Sequence, residues 1–390
     1  MTKTFHIFTF LCLVALSACN SHTPVFPEIG IETVDTIPED GSVPAIITLV
    51  HDSATRAWEG EIRKRGGMSR KYEKESYKIT LRHKEGIMGL EEDEDWILNA
   101  NYIDKTFMRH VLSYRLFMGM DANNVAPHCR YTDLYLNGNY RGLYVMMEQL
   151  ERKRLNTDQS DPKAFIMKEP PVFRTERNDI IDYSLAELFS HPEMPDSSLL
   201  IELDRTFDLL MNGSPEEVVA FTKETFDWNN IADWHLLTML TNNGDGIVKG
   251  FYLFRRGSGQ PMLFSPWDYD HCCGRDGDGE LNMLETRADP ERNLLIKRLM
   301  ESESYRSYLY NRWLTHREGF ITTANLLEMI DELETTIERA VYRNNQLWPE
   351  DAHWYHDDMS HKEEVDLMKD YFVKIMPLLD EEIANLVVTE

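Results

Sequence analysis

Two short polar segments of this 390-residue chain hold carboxylates at spacings that could do chemistry. The first, Thr241-Asn242-Asn243-Gly244-Asp245-Gly246, is a glycine-rich loop presenting Asp245. The second, Trp267-Asp268-Tyr269-Asp270-His271, offers two carboxylates and an imidazole side by side. Phosphoryl transfer asks a protein for a cation at the phosphates, carboxylates that hold a divalent metal, and an Asp that orients the attacking hydroxyl. Asp245, Asp268 and Asp270 supply the acidic part of that set. The cationic part lies upstream, where residues 62–84 hold Arg63, Lys64, Arg65, Arg70, Lys71, Lys74, Lys78, Arg82 and Lys84 against Glu73 and Glu75. A polyanion would bind there. Metal-dependent hydrolysis by Asp245, Asp268, Asp270 and His271 is a second chemistry open to these residues. An Asp in a glycine loop is, alone, a turn residue, and a strand Lys a solvated one; only the set carries an inference.

Periodicity indicates the elements that must position this set. From residue 76 to 82 Tyr77, Ile79 and Leu81 alternate with Lys78, Thr80 and Arg82, which is strand patterning with Lys78 opposite the apolar face. Residues 44–50 read as an earlier strand. Residues 104–120 read as a helix with Asp104 as N-cap and Phe107, Met108, Val111, Leu112 and Leu116 at helical spacing. Aromatic-rich runs at 131–136 and 139–147 meet at Asn137-Gly138, a strong hairpin signal. A helical segment at 234–240 feeds the Asp245 loop, and a second hairpin, 250–254 and 262–265, separates that loop from Asp268. Beyond residue 288 the pattern is helical, at 294–300, 305–319, 324–341 and 362–387. Strands thus dominate up to about residue 150 and helices after it, which predicts an α+β protein with a boundary there.

The chain carries a formal charge of −26 with 42% hydrophobic residues, enough apolar material for two globular units. That field repels nucleic acid and anionic lipid and attracts basic partners. Cys129, Cys272 and Cys273 form no disulfide framework, and the adjacent pair lacks the gap that lets two thiolates chelate one zinc; they read as packed thiols. The first residues read differently. Lys3 precedes an apolar stretch, residues 5–16, too short to span a bilayer, and Leu16-Ser17-Ala18-Cys19 then reads as a lipobox. The expectation is a signal peptide over 1–18, acylation at Cys19, a Pro- and acid-rich tether over 19–42, and anchorage to a bacterial cell-envelope membrane.

In protein kinases a small-lobe strand lysine precedes a helix and hinge, and the large lobe then supplies a catalytic-loop Asp, a hairpin and a metal-binding Asp. Lys78, the 104–120 helix, the hairpin to Glu148, Asp245, the second hairpin and Asp268 follow that order. Over most of residues 28–320 the chain also resembles the spore-coat CotH kinase family. The resemblance rests on Arg65-Gly66-Gly67-Met68-Ser69, Ser76-Tyr77-Lys78-Ile79, Trp96-Ile97-Leu98-Asn99-Ala100 and Asp104 through Arg109. It continues in Asn137-Gly138-Asn139-Tyr140-Arg141-Gly142-Leu143-Tyr144 with Glu148, then Asn243-Gly244-Asp245, Phe251-Tyr252-Leu253 and Trp267-Asp268-Tyr269-Asp270.

The resemblance implies an atypical two-lobed protein-kinase-like fold, with a β-rich N-terminal lobe at 43–150 and a mainly helical C-terminal lobe at 151–390. It implies phosphate transfer from ATP with Mg²⁺ or Mn²⁺ to Ser or Thr of a protein substrate, a basic, Ser-rich one being attracted by the charge. By resemblance Asp245 is the catalytic aspartate, Asp268 a metal ligand and Asp270 its helper. Lys78, Arg65, Gly66 and Ser69 would contact the phosphates, with Glu148 near the hinge and nucleotide. One departure stands out: where the family commonly has a metal-holding Asn, five residues after the aspartate, this chain has Gly250. His271, Asn242 or Asp270 would then have to compensate. The alternative reading is a pseudokinase serving as a cell-envelope binding lipoprotein.

Overall fold

The computed structural model describes residues 26–52, 54–170, 189–275, 288–350 and 359–388, with Phe173, Thr175 and Leu284 between them. The signal peptide, Cys19 and the first part of the tether lie outside the described residues. The architecture is α+β, as the periodicity predicts.

Seven strands close into a barrel in the order β1-β2-β3-β4-β5-β7-β6. They are β1 (Glu28–Glu32), β2 (Val43–His51), β3 (Ala54–Arg65), β4 (Ser76–Glu85), β5 (Asp93–Asn99), β6 (Cys129–Leu136) and β7 (Asn139–Glu148). Neighbours pair antiparallel except at the seam, where β1 runs parallel to β6, with Ile29 opposite Leu134 and Ile31 opposite Leu136. Residues 28–32, which composition assigns to the tether, are therefore a barrel strand. Ile29 and Ile31 bury their side chains inside the barrel with Ile47, Leu49, Ile62, Tyr77, Ile79, Leu81 and Trp96. The alternation from residue 76 to 82 works as the pleat requires, since it puts Tyr77, Ile79 and Leu81 in that core. At the β6–β7 turn Asn137 and Gly138 both have positive φ, 49° and 72°, which a two-residue type I′ hairpin demands.

The helix predicted at 104–120 begins later, as α1 (Arg109–Met120). Asp104 does not cap it from the adjacent position. Its carboxylate instead accepts from the N–H groups of Thr106 and Arg109 across a bend, and from the Arg109 guanidinium at 2.6 Å. Arg109 also meets Glu364 at 2.8 Å and donates to the Cys272 carbonyl at 2.8 Å, while Arg275 pairs with the other Glu364 oxygen. This cluster is fully buried and joins α1, the segment after Asp268 and the last helix.

After a short α2 (Arg152–Leu155) comes a four-stranded sheet, β11-β10-β8-β9, built from β8 (Phe165–Lys168), β9 (Phe189–His191), β10 (Phe251–Arg255) and β11 (Met262–Pro266). The helices α3 (Ser197–Asn212), α4 (Pro215–Thr225) and α5 (Trp228–Thr241) lead into the β10–β11 hairpin. Then follow α6 (Leu294–Met300), α7 (Glu303–Glu318), α8 (Thr323–Leu347) and α9 (His361–Asn385). Every residue of β10 and β11 is buried, and Trp234 of α5 stacks on Phe264 with ring centroids 4.5 Å apart. The hairpin separating Asp245 from Asp268 is thus clamped in the helical core. Cys272 and Cys273 are buried free thiols, as the sequence predicts. Among the described residues no helix is long and apolar enough to cross a membrane.

Candidate active site

A cavity of about 1170 Å³ lies where β3, β4 and β5 face the Asp245 loop and the end of β11. That is at or above the ~300–1,000 Å³ of ordinary small-ligand pockets. Arg65, Gly66, Ser69, Lys78, Asp245, Asp268 and Asp270 all line it. Seven Lys and Arg side chains line it against five Asp and Glu, so a locally positive cavity exists in a protein of charge −26.

On the barrel side, β3 ends at Arg65 and turns through Gly66, whose φ of +115° suits glycine. A Cβ there would meet the Ser69 Oγ at 2.0 Å, so the turn closes with Ser69 folded beneath it. The Arg65 guanidinium sits 5.8 Å over the Trp267 ring and donates to Asn99 Oδ1 at 3.4 Å. Burial pushes its pKa down from the usual range, with the nearby Asp268 charge opposing. Among the described residues no carboxylate pairs with Arg65. Lys78 is instead ion-paired with Asp95 of β5 at 3.0 Å and approaches Glu151 at 3.9 Å. Both cations reach the cavity, and of the two only Lys78 is ion-paired among the described residues.

On the opposite side, α5 ends at Asn242 in the left-handed conformation. The Asn243 side chain accepts from the Gly246 N–H at 2.8 Å and fixes the loop. The Asp245 carbonyl accepts from the N–H groups of Val248, Lys249 and Gly250, and its carboxylate pairs with Lys249 at 3.1 Å. The Asp245 side chain is about half exposed in the cavity. The Trp267 N–H donates to the Gly250 carbonyl at 2.9 Å, and a Cβ at residue 250 would meet the Trp267 carbonyl oxygen at 2.7 Å. The residue is glycine because the hairpin base leaves no room for a side chain.

Asp268 adopts a φ of +62°, uncommon outside glycine and tolerated best by Asn and Asp. Its N–H donates to the Tyr114 hydroxyl at 3.2 Å and its carboxylate opens into the cavity. His110, four residues before Tyr114 and so on the same face of α1, has its Nε2 3.8 Å from Asp268 Oδ1. Ligand atoms of His110, Asp268 and Asp270 all lie within 4.8 Å of one another, a separation one metal ion can bridge. Removal from water pushes the Asp268 carboxyl up, but His110, Arg65 and His271 outweigh this and hold it below the usual range. Asp270 is pushed up by burial and by the Asp268 charge. One carboxylate is held ionised and the other resists ionisation beside it, a pairing that a dication would relieve. The residues fit a metal ion.

His110 is the residue that motif reading misses. Its signal was present in the sequence, since positions 110 and 114 share a helix face, but nothing there shows that this face meets Asp268. Of the predicted compensators for Gly250, Asp270 joins the carboxylate pair. Asn242 Oδ1 instead accepts from the Ala288 N–H, and His271 lies 4.0 Å from Asp270 on the cavity rim. Glu148 does not line the cavity. It is buried, pairs with Arg154 at 2.9 Å and accepts from the His128 backbone N–H at 2.9 Å, while the adjacent Gln149 reaches the cavity wall.

The cavity between the barrel strands and the Asp245 loop is thus cationic and bears carboxylates, and the family match places it in a kinase-like protein. The CotH kinase protein family matches residues 62–374, and the chain belongs to that family. The inner spore coat protein H of Bacillus subtilis (strain 168) is 26% identical over 293 residues, covering 73% of this chain and 77% of that protein. The crystal structure of the Helicobacter pylori proinflammatory kinase CtkA overlaps 80% of this chain and 95% of its own, at 10% identity and a TM-score of 0.32, a weak overall likeness.

Proposed function

We propose that this chain is a two-lobed atypical kinase that transfers phosphate from Mg²⁺- or Mn²⁺-bound ATP to Ser or Thr of a protein. The lobes are the barrel, up to about residue 150, and the helical part from 151 onward. The observation that carries the reading is the meeting, in one cavity, of Arg65, Lys78 and the Gly66–Ser69 turn with Asp245, Asp268 and Asp270. Arg65 and Lys78 bind the phosphates, assisted by the backbone N–H groups of the turn. Asp245 orients and deprotonates the acceptor hydroxyl. Asp268 and Asp270 hold the dication, which when bound neutralises charge on the phosphates. Glu148 acts from behind the cavity wall, fixing the strand end that carries Gln149.

Mass spectrometry of the chain from residue 20 onward, incubated with Mn²⁺ or Mg²⁺ and ATP, tests this. Autophosphorylation on Ser or Thr is the expected outcome; absence of both nucleotide binding and phosphate transfer overturns it. A second reading, a pseudokinase that binds without turnover, is favoured by the Asp245–Lys249 and Lys78–Asp95 ion pairs, which engage both groups chemistry needs. Nucleotide binding without transfer would select it. We also propose that Cys19 is acylated and anchors the protein in the cell envelope, so that Cys19→Ser moves it from the membrane to the soluble fraction. Unchanged fractionation would exclude the anchor.

A further inference from the structure

We propose that His110 is itself a ligand of the dication held by Asp268 and Asp270, and that this nitrogen makes the site prefer Mn²⁺ to Mg²⁺. The inference deepens the kinase reading and rests on it only for where the cation sits. Three observations on the molecule carry it.

The first is geometric. His110, Asp268 and Asp270 each offer a ligand atom, and those atoms lie within 4.8 Å of one another, although His110 comes from α1 and the two carboxylates from the segment after β11. The second is the state of His110. It is 4% exposed, its Nδ1 is buried with no hydrogen-bond partner, and its Nε2 faces Asp268 Oδ1 at 3.8 Å, an ion-pair contact when the ring is protonated. A buried ring nitrogen without a partner is costly unless something else satisfies it. The third is Gly250. The hairpin base excludes any side chain there, so this position offers a cation no ligand.

The choice of metal follows from ligand chemistry. Mg²⁺ demands oxygen ligands and dehydrates reluctantly, whereas first-row transition dications accept imidazole nitrogen. A set of one imidazole and two carboxylates therefore discriminates by its nitrogen. The Tyr114 ring packs edge-on against the His110 ring, with centroids 5.8 Å apart, and limits its reorientation.

The test is titration of the chain from residue 20 onward with MnCl₂, without nucleotide and again with ADP, following free Mn²⁺ by electron paramagnetic resonance, with MgCl₂ as competitor. The parent should bind Mn²⁺ at least about tenfold more tightly than Mg²⁺. His110→Asn, which keeps a neutral polar side chain of smaller size, should lose about tenfold or more in Mn²⁺ affinity while its Mg²⁺ affinity stays within about twofold. Pulsed measurements on the bound Mn²⁺ should show a ¹⁴N coupling that disappears in His110→Asn. Circular dichroism checks that the variant folds; if it does not, the ¹⁴N signal of the parent alone decides. Equal loss of both metals, an unchanged Mn²⁺ affinity, no ¹⁴N coupling, or no Mn²⁺ binding in either condition overturns the proposal. Because metal binding is read without phosphate transfer, failure of the kinase reading leaves this result separately legible.

Discussion

Asp245 and Asp268 sit on either side of one hairpin, yet their surroundings differ, and the proposed kinase reading gives them different tasks. Asp245 is half exposed and ion-paired with a half-exposed Lys249 ammonium, whereas Asp268 is backed by His110, Tyr114 and Asp270. Asp245→Asn should therefore keep metal–nucleotide binding while losing about 10²- to 10⁴-fold in phosphate transfer, the usual weight of a positioned general base. Asp268→Asn should lose the metal-dependent part of nucleotide binding, since an amide is a poor ligand for a hard dication. Calorimetry of both variants, with and without metal, checks the division; parental transfer rates in Asp245→Asn would sink it. Gly250 shows where residue-level reading stops. From spacing alone it is a missing ligand, and Asn there is a repair. From the packing at the hairpin base, Gly250→Asn forces a side chain against the Trp267 carbonyl and should cost about 1–3 kcal/mol of stability with no gain in metal affinity. A denaturation midpoint at or above that of the parent contradicts this. The acidic and basic residues were legible because charge and glycine are visible letter by letter. His110 was not, because its role depends on which helix face meets Asp268.

At the scale of elements, α1 is the part on which the proposed cation site depends, and its position is set by a buried charge cluster. Arg109 spans Asp104, Glu364 of α9 and the Cys272 carbonyl, and Arg275 shares Glu364. Removing the charge of one partner leaves two buried guanidinium groups undercompensated. Glu364→Gln should cost about 3–5 kcal/mol, the range for breaking a buried pair, and should weaken Mn²⁺ binding as α1 shifts. Urea denaturation and the Mn²⁺ titration read the two effects; a loss below about 1 kcal/mol refutes the assignment. Burial raises the Asp104 carboxyl, but Arg109 outweighs this and holds it below the usual range. Its contribution is therefore complete above the ordinary aspartate pKa of ~3.9 and is lost as pH falls through the lower folded value. The hairpins and most helices were readable from period and turn chemistry, with Asn137-Gly138 the clearest case. The start of α1 was not, because Asp104 reaches Arg109 through a bend that spacing does not reveal.

For the whole molecule, the helical part followed the sequence pattern closely, while closure of the barrel did not appear in it at all. The β1–β6 seam joins residues more than a hundred positions apart, and the short β1 sits among Pro, Asp, Glu and Thr that read as a tether. That seam has a mechanical meaning. β1 is hydrogen-bonded along both edges and is the first barrel strand, so tension applied through the segment that precedes it loads two ladders in shear rather than peeling one. The same arrangement makes residues 28–32 a keystone. A chain beginning at residue 33 would leave the edges of β2 and β6 open and uncover Ile47, Leu49 and Leu134, the kind of template that recruits strands from other copies. Light scattering should show that shortened protein associating, while one beginning at residue 26 keeps the parental size. Equal sizes for the two would mean that the barrel holds without its seam.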